Sequence, residues 1–320
     1  MRGTRSTILV AGSANIDFVV RAAHVPAPGE TILGREFGIF PGGKGANQAL
    51  ACARAGGAST EMLLALGADQ FAPLVEQSLR SAAVELHIVR CEGEATGVAL
   101  ICLGDDAENA ITVAPGANAK LRGTDLPSLD HVRALLLQLE TPLESVTHFA
   151  KSARAQGVQV LLNAAPAREL PEDLLASIDV LIVNEEELRK VVGERSSIAR
   201  MLSAVRVPTV VVTLGAQGCC ARSDDEFFVQ PAFAVDAIDT TAAGDTFCGA
   251  LAAALCADYP LRDALRRGSA AAALATTRIG AQPSIPTVAE VDGLLGARDH
   301  ENAFAHDALR EYCGLTTISR

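Results

Sequence analysis

Apolar runs alternate with helical patterns along most of the chain. Six runs read as strands: residues 7–11, 62–66, 134–139, 158–162, 180–183 and 209–214. Most are continuously apolar rather than alternating, as expected of strands covered on both faces. Between them, apolar positions recur at three- and four-residue spacing over 46–55, 72–82, 143–156, 185–192 and 245–257, which predicts helices. The β-α-β-α order predicts an α/β domain with a mostly parallel sheet and helices on both sides.

Two segments break this rhythm. Residues 18–40 carry Pro26, Pro28, Gly29, Gly34 and Gly38, and residues 96–113 read as a hairpin, 97–103 and 109–113, around 104–108. Both are expected to form a small antiparallel sheet that projects from the main layer as a lid. One apolar face of such a sheet is left open unless something covers it, and a second copy of the chain is the natural cover, which predicts a homodimer. With no internal repeat and no Pro/Ser-rich linker, residues 1–297 read as one main domain. Residues 298–320 are polar and read as a tail or a terminal helix.

Composition narrows the function. The apolar fraction of 49% is ample for a large core, and the formal net charge of −11 argues against nucleic acid or an anionic membrane as partner. Trp is absent and Tyr occurs twice, so stacking platforms for single strands are not expected. A small anion such as ATP remains compatible, given local positive potential from helix N-termini, a metal ion and a few cations. The eight cysteines include no Cys-x-x-Cys pair, which disfavours a zinc or thioredoxin-type site. Cys52, Cys102, Cys248 and Cys256 lie in Ala/Leu-rich runs and read as buried reduced thiols, suited to a reducing cytosol. No signal-type apolar run and no stretch of membrane-spanning length is seen, so a cytoplasmic protein is expected.

Three motifs carry candidate chemistry. Asp239-Thr-Thr-Ala-Ala-Gly-Asp245-Thr joins a strand-like run over 232–238 to a helix beginning near Asp245. Small residues at Ala242, Ala243 and Gly244 let a ligand approach the backbone, where free helix amides and the helix dipole favour negative charge. Asp245 is placed to accept the proton of an attacking hydroxyl. A plain helix cap after a tight turn reads equally well from this segment alone. Pro41-Gly-Gly-Lys-Gly-Ala-Asn47 surrounds Lys44, one of four lysines in the chain, with glycines whose backbone is able to wrap a ligand; it lacks Walker A spacing. Gly12-Ser-Ala-Asn15-Ile-Asp17 follows the first strand without the dinucleotide fingerprint, which disfavours a dehydrogenase. Asn15 and Asp17 are candidates to bind sugar hydroxyls at that strand's carboxyl end, against the plainer reading of an Asx-type loop. Glu140 closes the apolar run 135–139 and is a second such carboxylate, or a surface ion-pair partner.

In this order the three motifs resemble the ribokinase family of carbohydrate kinases. The resemblance covers about residues 6–295 and extends to Ala95-Thr-Gly-Val-Ala-Leu-Ile, Glu108-Asn-Ala-Ile, Pro115-Gly-Ala-Asn118, Leu137-Gln-Leu-Glu140, Asn163-Ala-Ala-Pro, Thr213-Leu-Gly-Ala-Gln-Gly218 and Thr277-Arg-Ile-Gly-Ala-Gln-Pro-Ser284. It implies a ribokinase-like three-layer α/β domain with a β-sheet lid that also forms a dimer interface. It also implies ATP-dependent phosphorylation of D-ribose at O5; kinases of the same family that act on deoxyribose, fructose or nucleosides are the alternative.

Carried over by position, ribose would be held by Asn15, Asp17, Gly43, Lys44, Gly45, Ala46, Asn47 and Glu140, with Asp245 as base. ATP would lie along Asn184, Thr213, Leu214, Gly215, Ala216, Gln217, Gly218, Gly244, Asp245 and Ser269. The anion hole would be Ala242, Ala243 and Gly244. Asn184 and Glu187 match the family's Asn-x-x-Glu motif, which organises Mg²⁺ and its waters, whereas Glu185 and Glu186 read as a solvated first helical turn. A K⁺ site is implied at Asp239, Thr241, Ala275, Arg278, Gly280 and Ser284. Ser269 departs from the His or Asn that the family places near adenine, and residues after about 298 have no counterpart in it.

Overall fold

The computed structural model describes residues 6–105, 109–297 and 303–315. The first part of the chain gives β1 (Thr7–Ala11), β2 (Asn15–Ala22), β3 (Glu36–Gly42), α1 (Lys44–Arg54), β4 (Thr60–Gly67), α2 (Ala72–Ser81), β5 (Glu85–Cys91), β6 (Gly97–Gly104) and β7 (Asn109–Ala114). Then come β8 (Val132–Leu137), α3 (Leu143–Ala155), β9 (Gln159–Asn163), α4 (Glu172–Leu175), β10 (Val180–Asn184), α5 (Glu185–Val192), α6 (Ile198–Ala204) and β11 (Thr209–Thr213). The last part holds β12 (Gly218–Ser223), β13 (Glu226–Pro231), α7 (Ala243–Cys256), α8 (Leu261–Thr276), α9 (Val288–Ala297) and α10 (Ala303–Tyr312).

Nine strands make the main sheet in the order β13-β12-β11-β10-β9-β8-β1-β4-β5. The seven from β11 to β5 run parallel, and β12 and β13 add an antiparallel edge. The continuously apolar strands divide their side chains between two cores. In β1, Leu9 and Ala11 face α3, α5 and α6, while Ile8 and Val10 face α1, α2, α7 and α8. This is the period-two geometry of a strand with helices on both faces. The α/β/α layering therefore agrees with the sequence pattern. No helix among the described residues is long and apolar enough to cross a membrane.

The chain leaves β1 for β4 on one side and arrives at β8 on the other, so the topological switch point lies between β1 and β8. Open parallel sheets bind ligands there, outside the carboxyl ends of the strands. Two helices aim their N-termini at this opening. Of these, α7 is Ala-rich and buried along nearly its whole length, between α1 and α8. Its contact with α1 is close enough that a Cβ on Gly249 would lie 2.5 Å from the Ala51 Cβ and 2.6 Å from the Gln48 carbonyl oxygen.

The smaller sheet has the order β3-β2-β6-β7. It is mixed rather than antiparallel: β2 pairs with β3 and β6 with β7 antiparallel, but β2 and β6 run parallel from Asn15↔Gly97 to Ala22↔Gly104. A parallel pairing follows because the chain between these strands passes through α1, β4, α2 and β5 of the main layer before returning. Part of the expected hairpin turn, 106–108, lies outside the described residues.

One expected strand is corrected, and the terminal segment takes the second of its two expected forms. Residues 232–238 form no strand; β13 ends at Pro231 and an irregular stretch follows. The segment's apolar residues cover a cleft instead of joining the sheet. The described part of the terminal segment is helical: α10 packs on the edge strand β13, with Leu309 and Cys313 buried in the same core as the sheet. All eight cysteines are free thiols, and of the four read as buried, Cys102 in the small sheet is only half-buried.

The α1–α7 contact gives a direct test. Gly249→Ala should lower stability by about 1–3 kcal/mol through overpacking, read as a lower urea midpoint with unchanged slope.

Candidate active site

Two loops meet over the switch point. After β1 the chain passes Gly12 and Ser13 into β2, so Asn15 and Asp17 stand on the first residues of β2, not at the end of β1. After β8 come Gln138 and Glu140. The Ser13 hydroxyl donates to Glu140 Oε2 at 2.6 Å, and the Lys44 amide donates to the same oxygen at 3.1 Å. Glu140 thus ties both loops to the first turn of α1.

The glycines around Lys44 meet a packing requirement that the sequence does not show. Gly43 has φ 89°, and a Cβ there would lie 2.7 Å from the Asn15 nitrogen; a Cβ on Gly45 would lie 2.6 Å from the Ser13 nitrogen. They allow α1 to press its N-terminus onto the loop after β1. Ala46 is fully buried and donates its amide to the Ser13 carbonyl at 2.9 Å, so it presents no side chain to the opening.

Asn15 is 2% exposed, and its Oδ1 accepts from Asn118 Nδ2 at 2.7 Å. Asn118 also accepts from the Ala14 amide, which fixes the turn into β2. Asp245, 7% exposed, lies in the first turn of α7. Its Oδ2 accepts from Asn47 Nδ2 at 3.0 Å and its Oδ1 from Gln48 Nε2 at 2.9 Å. Just before it, Ala242 adopts the left-handed conformation, φ 58°, which is costly for a residue with a Cβ, by about 1–2 kcal/mol. Among the described residues, the amides of Gly244 and Asp245 have no backbone acceptor, whereas the Ala243 amide donates to the Thr240 carbonyl at 3.2 Å.

Charge is concentrated here. Burial, followed by the nearby carboxylates of Glu140 and Asp245, pushes Asp17 up to about 7. Lys44 is held above its ordinary value chiefly by Asp245, with Glu140 and Glu187 adding to this against burial. Glu187 is pushed up by burial, partly offset by the Asn184 amide that its carboxylate accepts. Asn184 and Glu187 form a reciprocal cap on α5: Glu187 N donates to Asn184 Oδ1 at 2.8 Å and Asn184 N to Glu187 Oε2 at 2.7 Å. Asp17, Lys44, Glu140, Glu187 and Asp245 therefore form one electrostatic group drawn from five places in the chain.

Beside the α7 N-terminus runs a cleft of about 420 Å³, lined by Thr213, Gly215, Ala216, Gly218, Ala243, Gly244 and Ser269 among the predicted residues. Leu214 points into the core and Gln217 is exposed; neither lines the cleft. Nor does Asn184, which stays with Glu187. The sequence reading missed the opposite wall: Phe233 and Val235 in the irregular stretch, and Ala272, Ala273 and Thr276 on one face of α8.

Residues implied for a cation lie on two loops bound to each other. The Thr276 carbonyl accepts from the Ile238 and Asp239 amides at 2.7 and 3.1 Å. Asp239 accepts from the Thr241 amide and hydroxyl, at 2.9 and 2.6 Å, and from the Gly280 amide at 2.8 Å. Burial acts to raise Asp239, but these bonds outweigh it and hold the carboxyl below its ordinary value. Ala275 and Ser284 are fully buried behind them, and Arg278 pairs with Glu290.

Ser13, Gln48, Asn118 and Asn163 belong to the site's framework but were not singled out from the sequence. Their signal was polarity within apolar surroundings, as in Asn163 at the end of the β9 run Val-Leu-Leu-Asn.

The pfkB family carbohydrate kinase pattern matches residues 5–288. The chain is 39% identical over 295 residues to a ribokinase of Haemophilus influenzae, covering 88% of this chain and 96% of that one. It superposes on a ribokinase of Thermotoga maritima with a TM-score of 0.85 at 35% identity, covering 91% of this chain and 99% of that one. A ribokinase of Arabidopsis thaliana solved with ribose and ATP gives a TM-score of 0.83 at 33% identity, with coverage of 91% and 99%. With the switch-point carboxylates and the Gly-Asp turn of α7 in this arrangement, the chain belongs to the pfkB family of carbohydrate kinases.

Proposed function

We propose that this chain transfers the γ-phosphoryl group of ATP to the 5-hydroxyl of D-ribose. The observation that carries the reading is the position of Asp245. Its carboxylate lies in the first turn of α7, grouped with the charges of Asp17, Lys44 and Glu140, one residue after Gly244, which lines the cleft along Thr213–Gly218 and α8. A sugar beside that charged group and a nucleotide in the cleft would meet at the first turn of α7. The ribose- and ATP-bound relative supports both ligands.

In this reading Asn15, Asp17, Lys44, Asn47 and Glu140 bind the sugar, and Asp245 accepts the O5 proton as O5 attacks in line. The free amides of Gly244 and Asp245, strengthened by the α7 dipole, receive charge on the transferred group. Ser269 and, on the 213–218 turn, Thr213, Gly215, Ala216 and Gly218 line the nucleotide. Among the described residues no three acidic, His or Cys groups converge to hold a metal ion directly. The donor set thus suits Mg²⁺ that arrives with the nucleotide, held through water near Asn184 and Glu187, where it would neutralise phosphate charge. The carboxylate, hydroxyl and carbonyls of Asp239, Thr241, Ala275, Arg278, Gly280 and Ser284 are oxygen donors suited to K⁺, which would stiffen the loop that presents Ala242–Gly244.

The exposed apolar residues of the small sheet, among them Phe37 at 63% and Leu100 at 57%, support a homodimer through that sheet. Residues 1–297 act as the kinase domain and 298–320 as an appended segment. The free thiols and the nucleotide substrate suit a cytoplasmic setting.

Asp245→Asn should reduce kcat by ~10²-fold or more while leaving ribose binding by calorimetry nearly intact. Comparable turnover would refute the role of Asp245 as base. In an ADP-release panel, ribose should exceed 2-deoxyribose, fructose and nucleosides in kcat/KM, and K⁺ should raise the rate. Preference for any competitor would move the assignment elsewhere in the family.

Asp17 gives a pH test. An ionised Asp17 accepts sugar hydroxyls, so ribose affinity should weaken as pH falls through about 7. Stability runs the other way. The folded value lies above the ordinary 3.8, so between these values the folded chain binds more protons than the unfolded one, and stability drops as pH rises. Asp17→Asn should therefore melt higher than the parent at pH 8, converge with it near pH 4, and bind ribose poorly. An unchanged melting temperature at pH 8 would contradict this.

A further inference from the structure

Beneath Asp245 runs a chain of buried amides that line no part of the nucleotide cleft. Gln48 and Gln138 are fully buried, and Asn163 is nearly so. They come from α1, the end of β8 and the end of β9. Asn163 Nδ2 donates to the Ile182 carbonyl of β10 at 3.2 Å. Gln48 Nε2 donates both to Asn163 Oδ1 at 3.0 Å and to Asp245 Oδ1 at 2.9 Å. Gln138 Nε2 donates to Gln48 Oε1 at 2.7 Å.

The polarity of this chain is forced. A backbone carbonyl only accepts, so Asn163 must turn its NH₂ to Ile182 and its oxygen to Gln48. Gln48 must then present its own NH₂, and its two hydrogens are spent on Asn163 and Asp245. Its remaining oxygen faces Gln138, which must answer with NH₂. Gln138 Oε1 is left without a partner, in the space a Gly12 side chain would need: a Cβ there would lie 1.9 Å from it. Every amide orientation follows from one carbonyl of the central sheet, and the chain ends in a donor fixed on Asp245.

We infer that Gln48 is a positioning residue for the phosphoryl-transfer step, locking the Asp245 carboxylate in orientation through a hydrogen-bond chain anchored at Ile182. The inference rests on the reading of Asp245 as base. Primary amides neither release nor take up protons near neutral pH, so the chain is not a proton relay. It leaves Oδ1 engaged from below and presents the carboxylate's free lone pairs to the sugar. Asn47 engages Oδ2 from the side. Without Gln48, the carboxylate loses one of its two side-chain donors and rotation about its last bond is less restricted.

The test is a double-mutant cycle in the full chain, read by ADP release, ribose calorimetry and melting temperature. Gln48→Met keeps length and apolar packing but removes the donors. It should lower kcat by ~10²-fold, the scale expected for misplacing a reacting group by about 1 Å, with ribose affinity changed far less. In an Asp245→Asn background the same change should cost under about threefold, because Gln48 acts only through that carboxylate. A loss that multiplies fully with that of Asp245→Asn, or wild-type kcat in Gln48→Met, would overturn the inference while leaving Asp245 as base. Wild-type turnover in Asp245→Asn alone would overturn the base reading and this inference with it.

Asn163→Asp guards against a Gln48 variant that does not fold. The new carboxyl reproduces the donor to Ile182 only when protonated, so kcat should decline with rising pH in a range where the parent is flat. A parent-like pH profile in a folded Asn163→Asp protein would contradict the forced polarity and overturn the proposal.

Discussion

A buried carboxylate at the mouth of a helix is the constraint on which the rest of this structure depends. Asp245 sits almost out of water, close to the carboxylates of Asp17, Glu140 and Glu187. Such crowding of like charge in low dielectric is unfavourable unless donors and a cation compensate. The compensation comes from the amides of Asn47 and Gln48, the unpaired N-terminal amides of α7 and the ammonium of Lys44. Each compensating group is delivered by a different element, and their joint placement requires α1 and α7 to touch along most of their length. The small residues of these helices, Gly249 and Ala51 among them, are where that requirement is visible.

The parallel sheet supplies the frame. Its strands are covered on both sides, so their apolar residues alternate between two cores, and only their carboxyl ends are left for polar work. There the chain places Gln138 and Glu140 after β8, Asn163 at the end of β9, Asn184 at the end of β10 and Thr213 at the end of β11. At the switch point the loops after β1 and β8 diverge, which opens space for a small polar ligand, and Ser13 and Glu140 bridge the gap. The cleft beside α7 is mostly apolar, walled by Phe233, Val235, Phe247 and small side chains with Thr213, Thr240, Ser269 and Thr276 among them, as suits a flat ring with polar edges.

Local strain accompanies function here. Ala242 holds a left-handed backbone at the start of α7, and the amides of Gly244 and Asp245 that follow it have no backbone acceptor. The tight bonding of Asp239 to Thr241 and Gly280 keeps this turn from relaxing. The ionised form of Asp17 likewise is less favourable here than in water, because burial and the neighbouring carboxylates oppose its charge. A site of this kind holds its polar groups ready for ligand rather than for the empty fold.

The sequence by itself determined the layered α/β class, because continuous apolar runs and three-to-four-residue periodicity are local properties. It also pointed to Asp245, Lys44 and Asp17 as candidates, since they lie in motifs rich in small residues, and the fold gathers them into one charged group. Tertiary structure alone decided how they meet. The parallel pairing of β2 with β6 depends on the main layer intervening between them, and no local signal carries that. Residues 232–238 are apolar enough to be a strand, but the sheet already ends at β13, so they wall a cleft. Gly43 and Gly45 are also required by packing, since the space a side chain would fill is occupied by the backbone of Asn15 and Ser13, which only the fold brings beside them. Gln48 was silent in the sequence for the same reason: a buried amide has meaning only through the partners that folding brings to it.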